Sequence, residues 1–202
     1  MSLAFETVSG AAVLPHIPAL ARLRITVFRD WPYLYEGDEG YERTYLRTYA
    51  ESPRAAVVLA LDGGEVVGAS TCLPLSDETP NVQAPFIAAG IGVERVFYFG
   101  ESILLARYRG QGAGVRFFAE REAHASAVSS CDFAAFCAVE RASDDPRRPA
   151  GAVPLDAFWA KRGFTPMPRL ACEMRWREVG AAEETPHRLT FWMKSLGGAP
   201  LP

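Results

Sequence analysis

The stretch RVFYFGESILLARYRGQGAGVRFF, residues 95–118, decides the fold. Residues 95–105 are rich in aromatic and branched side chains and predict a β-strand that is interrupted at Gly100. An isolated glycine in a strand is typical of a β-bulge or of a close backbone approach. The glycine-rich run at 109–114 follows, and a helix is predicted from Val115 to about Val128. The order is therefore strand, glycine loop, helix.

Another apolar run, residues 131–139, follows that helix. The strand–loop–helix–strand order predicts a right-handed crossover in which strands 95–105 and 131–139 are parallel. Upstream, Asp62-Gly63-Gly64 joins two β-rich runs, 55–61 and 65–73, as an antiparallel hairpin. The fold class is therefore α/β, with a mixed central sheet whose antiparallel hairpins flank one parallel strand pair and whose helices cover both faces.

The remaining segments complete this single domain, which we place at residues 3–198. Downstream of the parallel pair, residues 155–162 predict a short helix ending at Gly163, and 169–176 and 187–195 predict two further strands. Residues 76–94 carry two prolines and two glycines and predict an irregular connection with at most one helical turn.

Two helices are predicted near the beginning of the chain. The first follows Pro18 and stops at Trp31-Pro32. The second carries Tyr41, Tyr45 and Tyr49 at i, i+4 and i+8, which predicts three phenols on one face. Such a stripe usually packs in the core, and this interpretation is favoured; the alternative is an aromatic wall along a ligand pocket.

Composition excludes several classes of protein. The 202 residues are 49% hydrophobic, and 21 Lys+Arg against 24 Asp+Glu give a net charge of −3. No long basic run favours nucleic acid or an anionic membrane, and no 18-residue apolar segment predicts a membrane span, so we expect a cytoplasmic protein. The four cysteines match neither zinc nor CxxC spacing, which predicts reduced, mostly buried thiols and no metal site.

The glycine loop offers an anion site. Unpaired N–H groups and the helix dipole favour negative charge at a helix N-terminus, so the amides near Gly112, with Arg109 and Arg116, could wrap a pyrophosphate. The alternative is a tight turn with nothing bound. No Gly-Lys-Ser/Thr follows, which excludes a Walker loop, and GxGxG in mid-chain does not fit a dinucleotide fold.

Four motifs in this order resemble the GNAT superfamily of N-acetyltransferases, over nearly the whole chain. They are the loop RGQGAG (109–114), the preceding Tyr108-Arg109-Gly110, the hairpin DGGEVVG (62–68) and the late-helix run FWAKRGF (158–164). The resemblance implies transfer of an acetyl or acyl group from acetyl-CoA, as a co-substrate without a metal, to a primary amine by direct attack.

The resemblance also implies the cofactor residues. Pyrophosphate would lie on Arg109, Gly110, Gln111, Gly112, Ala113 and Gly114. Backbone groups of Ile103, Leu104 and Leu105 would pair with the pantetheine arm and the thioester, and Phe158 and Lys161 would flank pantetheine and the adenosine phosphate.

For catalysis, a bulge at Gly100 could free an N–H that polarises the thioester carbonyl. Glu101 is the candidate base, since it lies four strand residues from Leu105, roughly 13 Å. It could instead point outward or pair with an arginine such as Arg141 or Arg147, with Glu140 as the reserve base.

Two positions depart from the family pattern. Trp159 stands where the family often has a tyrosine acid, and Arg141 stands near a common asparagine. Protonation of the thiolate would then fall to Tyr98, Tyr45 or Ser102, or to water, and we take Tyr98 as the candidate catalytic tyrosine.

The acceptor, a small-molecule or peptide amine, is expected near Tyr41, Tyr45 and Asp144, between the tyrosine helix and segments 76–94 and 140–154. Asp144 and Asp145 are more simply a solvated turn.

The alternative function is a catalytically weak acyl-CoA-binding or sensory protein; a hydroxyl acceptor would need a stronger base. A homodimer through the edge at 169–176 and 187–195 is possible.

Overall fold

The chain folds around one seven-stranded sheet in a computed structural model that describes residues 3–202. The strands are β1 (Ala4–Val8), β2 (Ala56–Asp62), β3 (Glu65–Pro74), β4 (Val96–Leu104), β5 (Phe133–Val139), β6 (Thr165–Arg177) and β7 (Glu184–Ser195). Their order is β1-β2-β3-β4-β5-β7-β6. Within residues 3–202, β4 and β5 are the parallel pair, and all other neighbours are antiparallel. The predicted mixed sheet is confirmed.

Helices cover both faces of the sheet. They are α1 (Ile17–Phe28), α2 (Glu39–Glu51), α3 (Pro80–Ala88), α4 (Ala113–Val128) and α5 (Asp156–Ala160). α1, α2 and α3 bury Leu20, Tyr49 and Phe86 against one face. α4 and α5 place Phe118 and Phe158 in an aromatic cluster on the other face.

Three expectations about the elements need correction. The interval 76–94 contains α3, because Pro80 occupies its first turn, where a missing N–H costs nothing. β6 begins at Thr165 and not at 169, since a register shift between Met167 and Ala171 accommodates Pro168 in an edge strand. β1 was not predicted at all.

The segment Gly10–Phe28 is long and apolar enough to cross a membrane by length and composition alone. Here it divides into a 3-10 helix, Gly10–His16, and α1. It buries Val13, Leu20 and Leu23 in the core and carries Arg24 into a buried ion pair. Part of its apolar surface therefore packs in the core, while Leu14 remains exposed.

The predicted bulge at Gly100 is confirmed by the register of β3 and β4. Ser70 pairs with Ser102 but Cys72 pairs with Phe99, so two residues of β4, Gly100 and Glu101, lie opposite the single residue Thr71. A Cβ on Gly100 would collide with the Tyr49 phenol oxygen and Thr71 Oγ1. The glycine thus serves both the bulge and a close approach.

β4 and β5 separate soon after they pair. Their pairing runs only from Val96–Phe133 to Tyr98–Ala135. Beyond it, β4 stays with β3 up to Leu104, and β5 stays with β7 up to Val139. A wedge-shaped gap therefore opens between the carboxyl ends of the parallel strands, beside the bulge.

Candidate active site

The glycine loop lies at the open end of this gap. Gly110 and Gly112 take left-handed φ values of 77° and 87°, and α4 begins at Ala113 with no side-chain cap. Within the part of the chain that the structure describes, the amides of 110–114 donate to no protein acceptor. Because these donors gather at a helix N-terminus, the loop is built to receive an anion.

Cationic side chains border the loop. Arg109 donates through Nε to the Leu104 carbonyl at 3.1 Å, and its Nη2 lies 3.9 Å from Asp30 of the segment after α1. A groove runs between these two segments, lined by Thr26, Val27, Asp30, Leu105, Ala106, Arg107 and Arg109. The groove lies beside the end of β4, next to the loop.

Phe158 and Lys161, the two predicted cofactor residues of the late helix, differ in their contact with the loop. A Cβ on Gly114 would come within 3.1 Å of Phe158 Cζ, so Phe158 packs directly on the loop. Lys161 is exposed just after α5. Only Phe158 is therefore in contact with the loop backbone.

The strand residues Ile103, Leu104 and Leu105 do not share one orientation. Leu105 donates its N–H to the Val67 carbonyl at 3.0 Å. Backbone groups of successive strand residues point to opposite edges, so Ile103 also faces β3 while Leu104 faces the gap. Leu104 thus turns its N–H toward the gap, while its carbonyl accepts from Arg109 Nε, and by the same alternation the backbone of Ser102 also faces the gap.

Glu101 points toward α1 and α2 and is 9% exposed. Its Oε1 lies 2.6 Å from Arg24 Nη1, and Arg24 also pairs with Glu42. The guanidinium stacks over the ring of Tyr45 at 4.5 Å. Glu101 therefore has an arginine partner, but it is Arg24 and not Arg141 or Arg147.

The bulge does not leave the Glu101 amide free, because it donates to Thr71 Oγ1 at 3.1 Å. The proposed polarisation of a carbonyl by that amide thus requires Thr71 to give up its hydrogen bond. Glu140, the reserve base, is exposed and bonds Arg188. It follows β5, its amide donates to the Arg188 carbonyl and its carboxylate accepts from Thr190, so it lies outside the Glu101 cluster.

Three phenols lie in the interior on the α1–α2 side of the sheet: Tyr45 and Tyr49 near the Glu101 carboxylate, and Tyr98 further along β4. The Tyr45 and Tyr49 hydroxyls lie 3.0 Å apart, and the Tyr98 hydroxyl lies 3.1 Å from Cys137 Sγ. Burial raises the pKa of all three phenols well above the usual value. They therefore keep their protons at neutral pH.

Tyr41 and Asp144 lie apart from the cluster. Tyr41 is 62% exposed in the first turn of α2. A spacing of eight residues turns a helix about 80° from its starting direction, so Tyr41 does not share the buried face of Tyr49. Asp144 is exposed in the loop after β5.

Both departures from the family pattern are packing residues here. Trp159 contacts Phe136 and Trp192 with ring centroids 5.1 Å from each. Arg141 donates to the carbonyls of Pro32 and Tyr33 at 2.6 and 2.8 Å and pairs with Glu178 at 2.5 Å. Arg141 thereby fastens the α1–α2 connection to the residue that follows β6.

Sequence reasoning missed Glu78. It follows a short 3-10 helix, Leu75–Asp77, after β3 and is 7% exposed. Burial, more than any other influence, raises the pKa of its carboxyl. No motif marks this position, which lies in the interval expected to be irregular.

No protein-family model matches the sequence, and no curated protein sequence matches it. Solved structures do match. An acetyltransferase of the GNAT family from Streptococcus pneumoniae is 14% identical, with a TM-score of 0.59, 97% of this chain covered and 100% of that chain. The chain has the GNAT fold.

Two further structures have this fold. Ribosomal-protein-alanine N-acetyltransferase from Brucella melitensis is 16% identical, with a TM-score of 0.62 and coverage of 96% of this chain and 99% of that one. PaiA N-acetyltransferase from Thermoplasma acidophilum, in complex with coenzyme A, is 12% identical, with a TM-score of 0.54 and coverage of 96% and 99%.

The residues of this GNAT fold fit coenzyme A. Amides without acceptors at 110–114 and the guanidinium of Arg109 suit the pyrophosphate. The open edge at Leu104 suits an amide-bearing arm, because β5 has already separated from β4 at that level. No group of His, Cys, Asp and Glu side chains among the described residues could hold a metal ion.

Proposed function

We propose that the chain is an N-acyltransferase that transfers an acyl group from acetyl-CoA to a primary amine of a small molecule or peptide. The observation that carries this is the uncapped glycine loop at the end of a strand that is bulged and separates from its parallel neighbour. The loop follows the end of β4, and the gap lies along the same strand back to the bulge at Gly100 and Glu101.

When bound, acetyl-CoA supplies an activated thioester. The amides at 110–114 and Arg109 bind its pyrophosphate, and Leu104 orients the arm through backbone groups. Phe158 supports the loop by packing against Gly114. The thioester end then falls beside Gly100 and Glu101, where the residues of α1 and α2 exclude water.

A buried phenol is the candidate donor of the proton that the departing sulfur needs. Trp159 has no proton to exchange and is held in the aromatic cluster. Tyr98 remains protonated because burial raises its pKa, so it can donate to a departing sulfur. Its present partner is the Cys137 thiol, a weak hydrogen-bonding group that it can exchange at little cost.

One observation favours the second candidate, an acyl-CoA-binding or sensory protein. The Glu101 carboxylate, the predicted base, is already occupied by an ion pair with Arg24. The glycine loop would be equally suited to both functions.

The test is thiol release from acetyl-CoA across polyamines, amino acids, aminoglycosides and peptide N-termini, with a blank lacking the amine. Amine-dependent release supports the transferase. Silence with measurable acetyl-CoA binding by calorimetry supports the binding protein, and silence without binding contradicts both. A homodimer and a cytoplasmic location remain predictions.

A further inference from the structure

Glu78 stands at the end of the polar cluster opposite Glu101. β3 brings the chain there, since Leu73 pairs with Tyr98 and Pro74 with Phe97. The backbone is then fixed by side chains: Gln83 Nε2 donates to the Glu78 carbonyl at 2.5 Å, and Ser52 Oγ donates to Asp77 at 2.6 Å. The position of Glu78 is therefore set by contacts with α2 and α3.

Its carboxylate is buried without a cation. Oε2 accepts hydrogen bonds from the Thr79 amide at 2.8 Å and from Thr79 Oγ1 at 3.3 Å. Among residues 3–202, no lysine, arginine or histidine forms an ion pair with it, whereas Glu42 and Glu101 share Arg24. A second buried guanidinium, Arg121, bonds the Glu101 carbonyl, so of the three buried carboxylates Glu42, Glu78 and Glu101 it is Glu78 that has no ion-pair partner among the described residues.

This surplus of negative charge favours a cation. An isolated buried carboxylate either takes up a proton or binds a positive group, because burial alone penalises the charge. The charged and titratable groups that influence Glu78 or are influenced by it come from every neighbouring element: Arg24 (α1), Tyr45 and Tyr49 (α2), Tyr98 and Glu101 (β4), Cys137 (β5) and Cys172 (β6). Arg24 is the one permanent cation among them, and Glu101 and Glu42 already hold it.

A primary amine reaches such a site as an ammonium and must lose a proton before it can attack. A desolvated carboxylate without a cation partner binds that proton more tightly than one held by an arginine. It also attracts the ammonium in the first place. Glu78 meets both requirements, and Glu101 meets neither while Arg24 holds it.

We propose that Glu78 is the general base and that the acceptor is a cationic primary amine, an inference that rests on the proposed function. The ammonium N–H bond breaks and the proton passes to the Glu78 carboxylate. The freed nitrogen electron pair forms the new C–N bond as the C–S bond breaks. The sulfur leaves with the electron pair of the C–S bond and takes the Tyr98 hydroxyl proton, the second nitrogen proton replaces it on Tyr98, and Glu78 returns its proton to water.

The experiment compares Glu78→Gln, Glu78→Asp and Glu183→Gln with the unaltered protein, using the amine that gives the fastest thiol release. Glu183 is exposed and lies outside the cluster, so it is the matched control. We expect Glu78→Gln to lower kcat by at least about 100-fold and to abolish the acidic limb of the pH–rate profile. Glu78→Asp should recover part of kcat, and Glu183→Gln should change nothing.

Thermal unfolding and calorimetric titration with acetyl-CoA accompany each variant and establish that it is folded and binds its co-substrate. A kcat of Glu78→Gln within threefold of the unaltered protein overturns the proposal. A large loss of kcat in Glu78→Gln that leaves the acidic limb of the pH–rate profile intact also overturns it, since that result indicates a structural role. An unaltered protein that shows no amine-dependent release overturns the proposed function itself, and the assignment of Glu78 falls with it.

Discussion

Gly100, in the β4 bulge, has no room for a side chain. A Cβ there would overlap the Tyr49 hydroxyl and Thr71 Oγ1, both buried. We expect Gly100→Ala to lower the free energy of unfolding by about 1–3 kcal/mol, as overpacking in a core does. Urea denaturation measures this, with Gly151→Ala as the control because nothing lies within 4 Å of its Cβ position. Equal stability of the two variants would contradict the close approach.

Glu78 gives the stability a pH dependence of known sign. Burial raises the pKa of its carboxyl in the folded state, so the folded protein binds the proton more tightly than the unfolded chain. Stability linked to this proton is complete below the unfolded pKa, about 4.3, and is lost as the pH rises through the folded pKa. Glu78→Gln removes that loss.

The Glu78→Gln variant should therefore gain stability relative to the unaltered protein as the pH rises from about 4 to about 8. Unfolding free energies across this range measure the difference, and Glu183→Gln should show a flat one. A difference that stays constant or falls with pH would mean that the buried carboxylate is compensated in some other way.

For single residues, the sequence predicted which residue matters better than the direction in which its side chain points. Gly100 as a bulge was predictable, because an isolated glycine in a strand has few other uses. The direction of Glu101 was not, since a bulge shifts the alternation of side chains. Its partner Arg24 lies on a distant helix, and pairing over such a separation leaves no local pattern. Glu78 has a raised pKa because of tertiary burial, which local sequence does not reveal.

Among the elements, the glycine loop is the one on which co-substrate binding depends. Gly112 has a φ of 87°, where a side chain costs about 1–2 kcal/mol of strain. Relief of that strain would turn the amides at 110–114 away from a common point. We expect Gly112→Ala to weaken coenzyme A binding about tenfold, equivalent to about 1.4 kcal/mol.

Calorimetric titration measures this change in affinity. Gly63→Ala is the control, because Gly63 is also left-handed, at φ 57°, but lies in the β2–β3 turn. The two variants should lose similar stability, and only Gly112→Ala should lose affinity. If both variants lost the same affinity, the cause would be backbone strain in general and not the geometry of the glycine loop.

Arg141 is one of the residues that hold the connection between α1 and α2 in place. Arg141→Ala would leave the Pro32 carbonyl without its donor, the Tyr33 carbonyl with Trp176 Nε1 alone, and Glu178 with Arg147 alone among its arginine partners. We expect a loss of about 1–3 kcal/mol in stability and faster hydrogen exchange in residues 29–38. Arg188→Ala, which removes an exposed pair with Glu140, should cost less than about 1 kcal/mol. Unchanged exchange in 29–38 would contradict the role of Arg141.

Most elements were predictable because their signals are local. The Asp62-Gly63-Gly64 turn gives the hairpin, and the apolar runs at 95–105 and 131–139 give the parallel pair. β1 and α3 were missed for opposite reasons. β1 is a short edge strand that gains its structure from β2, and the prolines of α3 suggested a loop although Pro80 lies where a helix accepts it.

The sheet has two outer strands, the short β1 and the long β6. Among residues 3–202, the outer edge of β6 has no neighbouring strand. The predicted homodimer would use that edge, and light scattering should then give twice the chain mass of 22.1 kDa. A mass of one chain across the micromolar range would contradict the dimer. The sequence suggested this edge because its last two runs are β-rich, but composition alone does not determine whether a second chain pairs there.

The packing of Trp159 also has an optical consequence. Its indole ring meets that of Trp192 at 63° with centroids 5.1 Å apart, and the neighbouring Phe158 touches the glycine loop. Two indoles at this separation exchange excitation energy and couple their ultraviolet transitions. An adenine-containing molecule that settles on the loop would therefore change the fluorescence and near-ultraviolet circular dichroism of the pair. The protein thus contains its own label-free reporter beside the site where coenzyme A is proposed to bind.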